Sequence, residues 1–394
     1  MKASTRSSSV EYAIRDVVLP AEKLERQGHT ITKFNIGDPN KYDFSTPPHM
    51  LKALCDSITE DMGYTDSLGE PALREEVLIH ENRKNALVAA PDDVMITNGV
   101  SEGIQILFGS LLNPGDKVLI PGPAYPPYTS YARYFDAEPS IYNTIEEDGW
   151  LCDIDDIRKK IDDRTRALTI INPNNPTGAL IPKKMIREIV DLCGEYDIPI
   201  ISDEIYDHLI LDGKFCSPLE FSDDIPVILL NGFSKMYLVP GWRAGYVVFN
   251  DPEGKLVEIE EAMKKCARLR ICPNAPIQHA CISALTGPQD HVKELVRKLR
   301  ERRDYVYKRF NDMEGISCTK PDGAFYIFPK ITHPAWDDDK KFVLDVLNDC
   351  HMLFVHGSGF SEVQGKMHFR SVFLPPIPMM EEALDRLERY LEKK

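Results

Sequence analysis

No stretch of this 394-residue chain approaches the ~20 consecutive apolar residues that span a bilayer, so no membrane partner is expected. The opening residues, Met1-Lys2-Ala3-Ser4-Thr5-Arg6, lack the apolar core of a signal peptide. Basic residues are outnumbered: 47 Lys and Arg face 62 Asp and Glu, a net charge of −15. That sign disfavours nucleic acid as a partner, because nucleic acid needs a basic face. It leaves room for a small anionic substrate held in a locally positive site. Paired cysteines are also missing. The nine cysteines are odd in number, and no two form Cys-x-x-Cys. Free thiols in a reducing compartment, the cytoplasm, are expected. Neither the cysteines nor the ten histidines show metal-ligand spacing, so no metal is expected.

What the chain does hold is an alternation of strands and helices on the scale of two domains. Candidate strands are 94–97, 117–120, 167–171, 198–202, 227–230 and 244–249. Most are continuously apolar, as strands buried on both faces are. Helical stretches such as 183–196 lie between them. The pattern predicts βαβ units and a mainly parallel sheet. After Pro252 it changes to charged helices at 258–270 and 292–310. Alternating strands at 324–329 and 367–372 and an amphipathic helix at 380–391 follow. Residues 46–285 read as a large domain and 286–394 as a smaller α+β domain. Residues 1–45 read as an arm packed with the smaller domain.

The most informative residue is Lys235. The run Ile225-Pro226-Val227-Ile228-Leu229-Leu230 reads as a central strand, and Asn231-Gly232-Phe233-Ser234-Lys235 leaves it. The lysine therefore sits where open α/β sheets bind ligands. Apolar surroundings disfavour its charge, and a neutral amine is a nucleophile. Arg243, in Gly241-Trp242-Arg243, follows eight residues on and can hold a phosphate. A phosphorylated aldehyde cofactor uses both groups.

Four further stretches follow predicted strands. Thr97-Asn98-Gly99-Val100-Ser101-Glu102-Gly103 turns from strand into helix. It is either an anion site made of free N–H groups or an ordinary βα turn. Tyr125, in Gly122-Pro123-Ala124-Tyr125-Pro126-Pro127-Tyr128, is either a stacking ring or a loop aromatic. Asn172-Pro173-Asn174-Asn175-Pro176-Thr177-Gly178 has two Asn-Pro steps that fix an extended turn and present Asn175. Asp203, in Ser202-Asp203-Glu204-Ile205-Tyr206, follows an apolar run, so its carboxylate needs a partner. That partner is either a protonated ring nitrogen or a structural hydrogen bond. Tyr206 is placed to bond an adjacent ring oxygen.

Taken in order, these residues resemble the class I/II aminotransferases of fold type I, which use pyridoxal 5'-phosphate. The most specific parts are Asn175-Pro176-Thr177-Gly178, Asp203-Glu204-Ile205-Tyr206, and Ser234-Lys235 with Gly241-Trp242-Arg243. The resemblance implies an α/β fold whose large domain holds a mainly parallel seven-stranded sheet, plus a smaller α+β domain. It implies that Lys235 forms the Schiff base and Asp203 partners the pyridine nitrogen. Asn175 and Tyr206 correspond to donors to the ring oxygen, and Tyr125 to the stacking ring. Arg243, Ser234 and the amides of Val100, Ser101 and Glu102 correspond to the phosphate cup. Tyr64 corresponds to a tyrosine that reaches the neighbouring subunit's phosphate, which implies a homodimer with shared sites. Arg370 corresponds to the arginine that grips the substrate α-carboxylate. Gly37 matches a glycine that lets backbone approach the substrate. One residue departs from the pattern. Many members carry serine three residues before the lysine, where this chain has Gly232. Ser234 is expected to take over that phosphate contact.

The implied reaction moves an amino group from an L-amino acid to a 2-oxo acid, with the Lys235 amine carrying the α-proton. Four closer stretches resemble microbial alanine (glutamate–pyruvate) aminotransferases. They are Tyr12-Ala13-Ile14-Arg15, Asn35-Ile36-Gly37-Asp38-Pro39, Asn231-Gly232-Phe233-Ser234-Lys235 and Leu269-Arg270-Ile271-Cys272-Pro273-Asn274-Ala275-Pro276. The substrates implied are L-alanine and 2-oxoglutarate. Arg15 would then meet the glutamate side chain, although a solvated helix charge explains it equally well. Arg268 and Arg270 are rivals for that role. Aspartate or aromatic amino acids are the alternative substrates, and β-elimination the alternative chemistry. A DNA-binding regulator fits neither the charge nor the length. A nicotinamide enzyme is rejected, because Gly357-Ser358-Gly359 lacks a third glycine.

Overall fold

The computed structural model describes residues 3–4, 6–7, 13–59, 63–85 and 87–394. Tyr12 and the side chains of Arg15 and Asp16 lie outside the described residues. The apolar runs become strands β1 (Val94–Thr97), β2 (Lys117–Gly122), β3 (Glu138–Ile145), β4 (Leu151–Cys152), β5 (Thr165–Ile171), β6 (Ile200–Asp203), β7 (Val227–Gly232) and β8 (Gly245–Asn250). They form one sheet in the order β1-β8-β7-β6-β5-β2-β3-β4. The pairs β7–β6, β6–β5, β5–β2 and β2–β3 are parallel. β8 runs antiparallel to both its neighbours. Every residue of β1, β2, β6, β7 and β8 is buried. Helices cover both faces, which is why these strands read as unbroken apolar runs.

The sheet has eight strands rather than seven. Leu151 and Cys152 turn back antiparallel onto the end of β3, through Thr144↔Cys152 and Ile145↔Leu151. β3 itself escapes the apolar signal. Its sequence, Glu138-Pro139-Ser140-Ile141-Tyr142-Asn143-Thr144-Ile145, buries only Tyr142 fully. Pro139 is tolerated because most of the strand's outer side has no partner.

Two apolar clusters sandwich the sheet. One includes Phe108 of helix Val100–Leu111 and Met263 of helix Val257–Arg270. The other includes Val77 of helix Pro71–Asn82 and Ile189 of helix Lys183–Tyr196. A third cluster joins helices Asp290–Asp312, Asp339–Cys350 and Ile377–Leu391 to a three-stranded sheet of Tyr326–Ile327, Phe369–Val372 and Val355–His356. Ala13, Ile14, Val17 and Ala21 belong to that third cluster, and Thr32–Lys33 pairs in parallel with Met352–Leu353. The N-terminal segment is thereby tied to residues more than 300 positions away. All nine cysteines are unpaired. Among the described residues, no helix is long and apolar enough to cross a membrane.

Candidate active site

A cavity of about 480 Å³ opens at the C-terminal edge of β5, β6 and β7, facing the third cluster. That volume suits a small ligand. Gly37, Val100, Ser101, Tyr125, Asn175, Asp203, Tyr206, Ser234, Lys235, Arg243 and Arg370 all line it. The parallel strands explain the gathering. Each ends at the same edge and delivers its next residues to one place.

Lys235 leaves β7 and donates from Nζ to the Gly37 carbonyl at 3.0 Å. Its amine lies 5.3 Å from the Phe325 ring. Burial, reinforced by the cations of Arg370 and Arg243, pulls its pKa down to about 8. Asp38 and Asp203 oppose that shift only in part. Asp203 ends β6 with 3% of its surface exposed. Its Oδ2 accepts from the Tyr128 hydroxyl at 2.7 Å and its Oδ1 from the Ile205 N–H at 3.2 Å. Burial raises the carboxyl to about 6, against the pull of the Tyr128 bond. A buried carboxyl so raised regains its charge when a cation approaches.

Arg370 is 1% exposed. It donates to the Asn175 Oδ1 at 2.8 Å and to the Asn35 carbonyl at 2.5 Å. Its guanidinium lies 4.5 Å from the Tyr326 ring and 4.8 Å from the Phe360 ring. Those contacts lock a planar fork in place.

On the opposite wall, helix Val100–Leu111 begins with no side-chain cap. The N–H groups of its first two residues, Val100 and Ser101, are therefore left as anion donors, and both residues line the cavity. Gly99 precedes it at φ +82°, and a Cβ there would collide with the Arg243 guanidinium. Arg243 has a left-handed φ of +57°, uncommon outside glycine. It donates to the Pro240 carbonyl at 2.9 Å and the Asn98 carbonyl at 3.3 Å. Gly232 has a packing cause of its own. A Cβ there would come within 2.8 Å of the Gly245 Cα and 2.9 Å of the Ala244 carbonyl. No serine fits so close to β8.

Among the described residues, two predicted from the sequence, Glu102 and Tyr64, do not line the cavity. The Glu102 N–H is used by the Gly99 carbonyl at 3.1 Å. Its carboxylate accepts from Asn98 and pairs with Arg270 at 2.7 Å. Arg270 also donates to the carbonyls of Ile96 and Ser67, so it buttresses the turn rather than facing the cavity. Tyr64 is 83% exposed and does not line the cavity. The Arg15 side chain lies outside the described residues, although its neighbour Ile14 lines the cavity. Two residues that sequence reasoning passed over do reach the site. Tyr128 bonds Asp203, and Tyr326 bonds the Tyr206 hydroxyl at 2.9 Å. The only signal for Tyr128 was its place one helical turn beyond Tyr125.

The family described as aminotransferase class I and II matches residues 30–387. The chain belongs to that family. It is 37% identical to a glutamate-pyruvate aminotransferase of Haemophilus influenzae, covering 99% of each chain. It is 32% identical to a probable aspartate aminotransferase of Methanocaldococcus jannaschii, covering 91% of this chain and 92% of that one. A solved alanine aminotransferase of Pyrococcus furiosus superposes with a TM-score of 0.98 at 56% identity, covering all of both chains. The chain is a pyridoxal-phosphate-dependent aminotransferase of fold type I. The donors present suit that cofactor. A depressed lysine faces a buried carboxylate, and an uncapped helix start lies beside a fixed arginine.

Behind the aminotransferase cavity lies a buried polar cluster. One oxygen from each of Glu81, Glu204 and Asp207 lies within 4.8 Å of the others. The Lys84 ammonium sits 2.8 Å from Glu81 and pairs with Asp207. Asn231 donates to Glu81 at 3.3 Å and to Asp207 at 3.0 Å.

Proposed function

We propose that this aminotransferase exchanges the amino group of L-alanine with 2-oxoglutarate, giving pyruvate and L-glutamate. The observation that carries the reading is the enclosure of Lys235 and Arg370 in one cavity walled by Ile14, Ile36 and Ile205. A small apolar side chain suits such walls. The alanine-transaminating names of two relatives quoted above support the same choice.

When bound, pyridoxal phosphate supplies an aldehyde and a protonated ring that takes up electrons from the substrate α-carbon. The chain's residues do the rest. Lys235 has an amine poised to shed its proton near neutrality, so its Nζ serves first as nucleophile and then as carrier of the α-proton. Asp203 offers its carboxylate to the ring nitrogen and keeps a proton there. Asn175 and Tyr206 donate to the ring oxygen, and Tyr125 covers the ring. Arg243, Ser234 and the amides of Val100 and Ser101 hold the phosphate. Arg370 takes the α-carboxylate as a two-pronged donor. Arg15, next to Ile14, meets the second carboxylate of glutamate.

Tyr64 is a large exposed aromatic outside the chain's own cavity, and we assign it to the phosphate of a second copy in a homodimer. Nine free thiols suit a reducing, cytoplasmic setting. We divide the chain at residues 45 and 285 into an arm, a large domain and a small domain. A panel of amino donors with 2-oxoglutarate tests the substrate. Alanine should give the highest kcat/KM, and no turnover of alanine would refute the assignment.

A further inference from the structure

We infer that Tyr326 is a positioning residue: its hydroxyl donates to the Tyr206 hydroxyl and so turns the Tyr206 proton toward the cofactor's ring oxygen. This rests on the proposed role of Tyr206 as a donor to that oxygen.

The geometry gives the direction. The two hydroxyl oxygens are 2.9 Å apart, and both side chains line the cavity. One bond between two hydroxyls uses one proton. The other remains free to point elsewhere. Whichever phenol is more acidic is the better donor. Arg370 lies 4.5 Å from the Tyr326 ring, and its charge favours the more acidic phenol there. The negative charge of Asp203 acts on Tyr206 and makes it the weaker acid. Burial raises both phenols, Tyr206 well above its ordinary value; Arg370 pulls both back, and Asp203 pushes only Tyr206 further up. The proton chain therefore runs from Tyr326 to Tyr206 to the cavity.

Two other features hold Tyr326 in place. Its backbone pairs with Val372 in the three-stranded sheet, two residues from Arg370. Gly37 makes room for it. A Cβ on Gly37 would strike the Tyr326 hydroxyl and come within 2.5 Å of the Phe325 ring. The same glycine's carbonyl accepts from Lys235. The glycine thus serves the tyrosine as well as the lysine.

The test is a pH titration of the visible absorbance of the cofactor-loaded enzyme. Wild type, Tyr326→Phe, Tyr206→Phe and the double variant are compared. Tyr326→Phe keeps the ring over Arg370 and removes only the hydroxyl. A donor to the ring oxygen favours the deprotonated form, so weakening it should raise the titration midpoint. We expect Tyr326→Phe to raise it by roughly half a pH unit, as the loss of one modest hydrogen bond would. Tyr206→Phe should raise it further, and adding Tyr326→Phe to Tyr206→Phe should change nothing more. KM for alanine should stay within about twofold, since Arg370 keeps its stacking partner. An unchanged midpoint in Tyr326→Phe, with Tyr206→Phe still shifted, overturns this inference alone. So does a Tyr326→Phe shift that persists without the Tyr206 hydroxyl. An unchanged midpoint in Tyr206→Phe removes the role of Tyr206 and this inference together.

Discussion

Replacing Glu204 with glutamine should flatten the enzyme's loss of stability with rising pH. Glu204 follows Asp203 directly and is fully buried. Its Oε1 accepts from the hydroxyls of Ser202 at 2.9 Å and Ser217 at 2.5 Å, while Oε2 has no hydrogen-bond partner among the described residues. Around it are Glu81, Asp207 and one ammonium, Lys84. Three carboxylates with one cation cannot all stay charged in a buried site. Asp207 is held at about 2, because Lys84 overrides its burial. Glu204 is the one that gives way. Burial raises it from 4.5 to about 8, with Glu81 adding to the push and Lys84 opposing it. The folded state therefore binds a proton that the unfolded chain releases above pH 4.5. That stabilisation is complete below pH 4.5 and is lost as pH rises through about 8. The slope is about 1.4 kcal/mol per pH unit, and the whole window amounts to on the order of 5 kcal/mol. Glutamine keeps an oxygen for Ser202 and Ser217 and carries no proton to lose. Urea denaturation of loaded wild type and Glu204→Gln, at one protein concentration from pH 5 to 9, reads the difference. The variant should gain on wild type steadily up to pH 8 and then hold its lead. Parallel stability curves would refute the assignment of the proton to Glu204.

Two further outcomes follow from the cavity. Burial holds the Asp203 carboxyl at about 6, so its stabilising proton is lost between pH 3.8 and 6 in the cofactor-free protein. A cationic ring nitrogen compensates for that loss. The rise in melting temperature on adding pyridoxal phosphate should therefore grow from pH 4.5 to 7 in wild type and stay level in Asp203→Asn. Equal pH dependence in both contradicts the pairing. Arg370→Ala removes the cation and deprives Asn175 and the Asn35 carbonyl of their donor. It should lower kcat/KM for alanine by about 10²- to 10³-fold, as losing one buried partner of a charge pair does. A loss under fivefold in steady-state assays contradicts the carboxylate role.

Much of the site was legible in the sequence because strand ends are legible. Lys235, Asp203 and Asn175 each follow a continuous apolar run, and parallel strands carry such ends to one edge. Gly232 was readable as a departure, but its cause was not, because the crowding comes from Ala244 and Gly245 on the neighbouring strand. Tyr326 was placed on a strand yet not in the site, since its bond to Tyr206 crosses 120 positions of sequence. Tyr128 was missed in the same way, across 75 positions. The bond from the Glu102 amide to the Gly99 carbonyl was not legible, because the closure of a helix's first turn is not encoded in composition. β3 went unread because it fully buries only Tyr142 and mixes Pro, Ser and Asn among its apolar residues. Arg15 belongs to the N-terminal segment, where the site's specificity toward a second carboxylate is assigned by position alone.

Whether the amine of Lys235 is the group that bonds the cofactor is read by borohydride reduction of the loaded enzyme, followed by peptide mass spectrometry. One pyridoxyl-phosphate adduct per chain should appear, on Lys235, and none in Lys235→Ala. An adduct on another lysine, or none in wild type, would contradict that attachment.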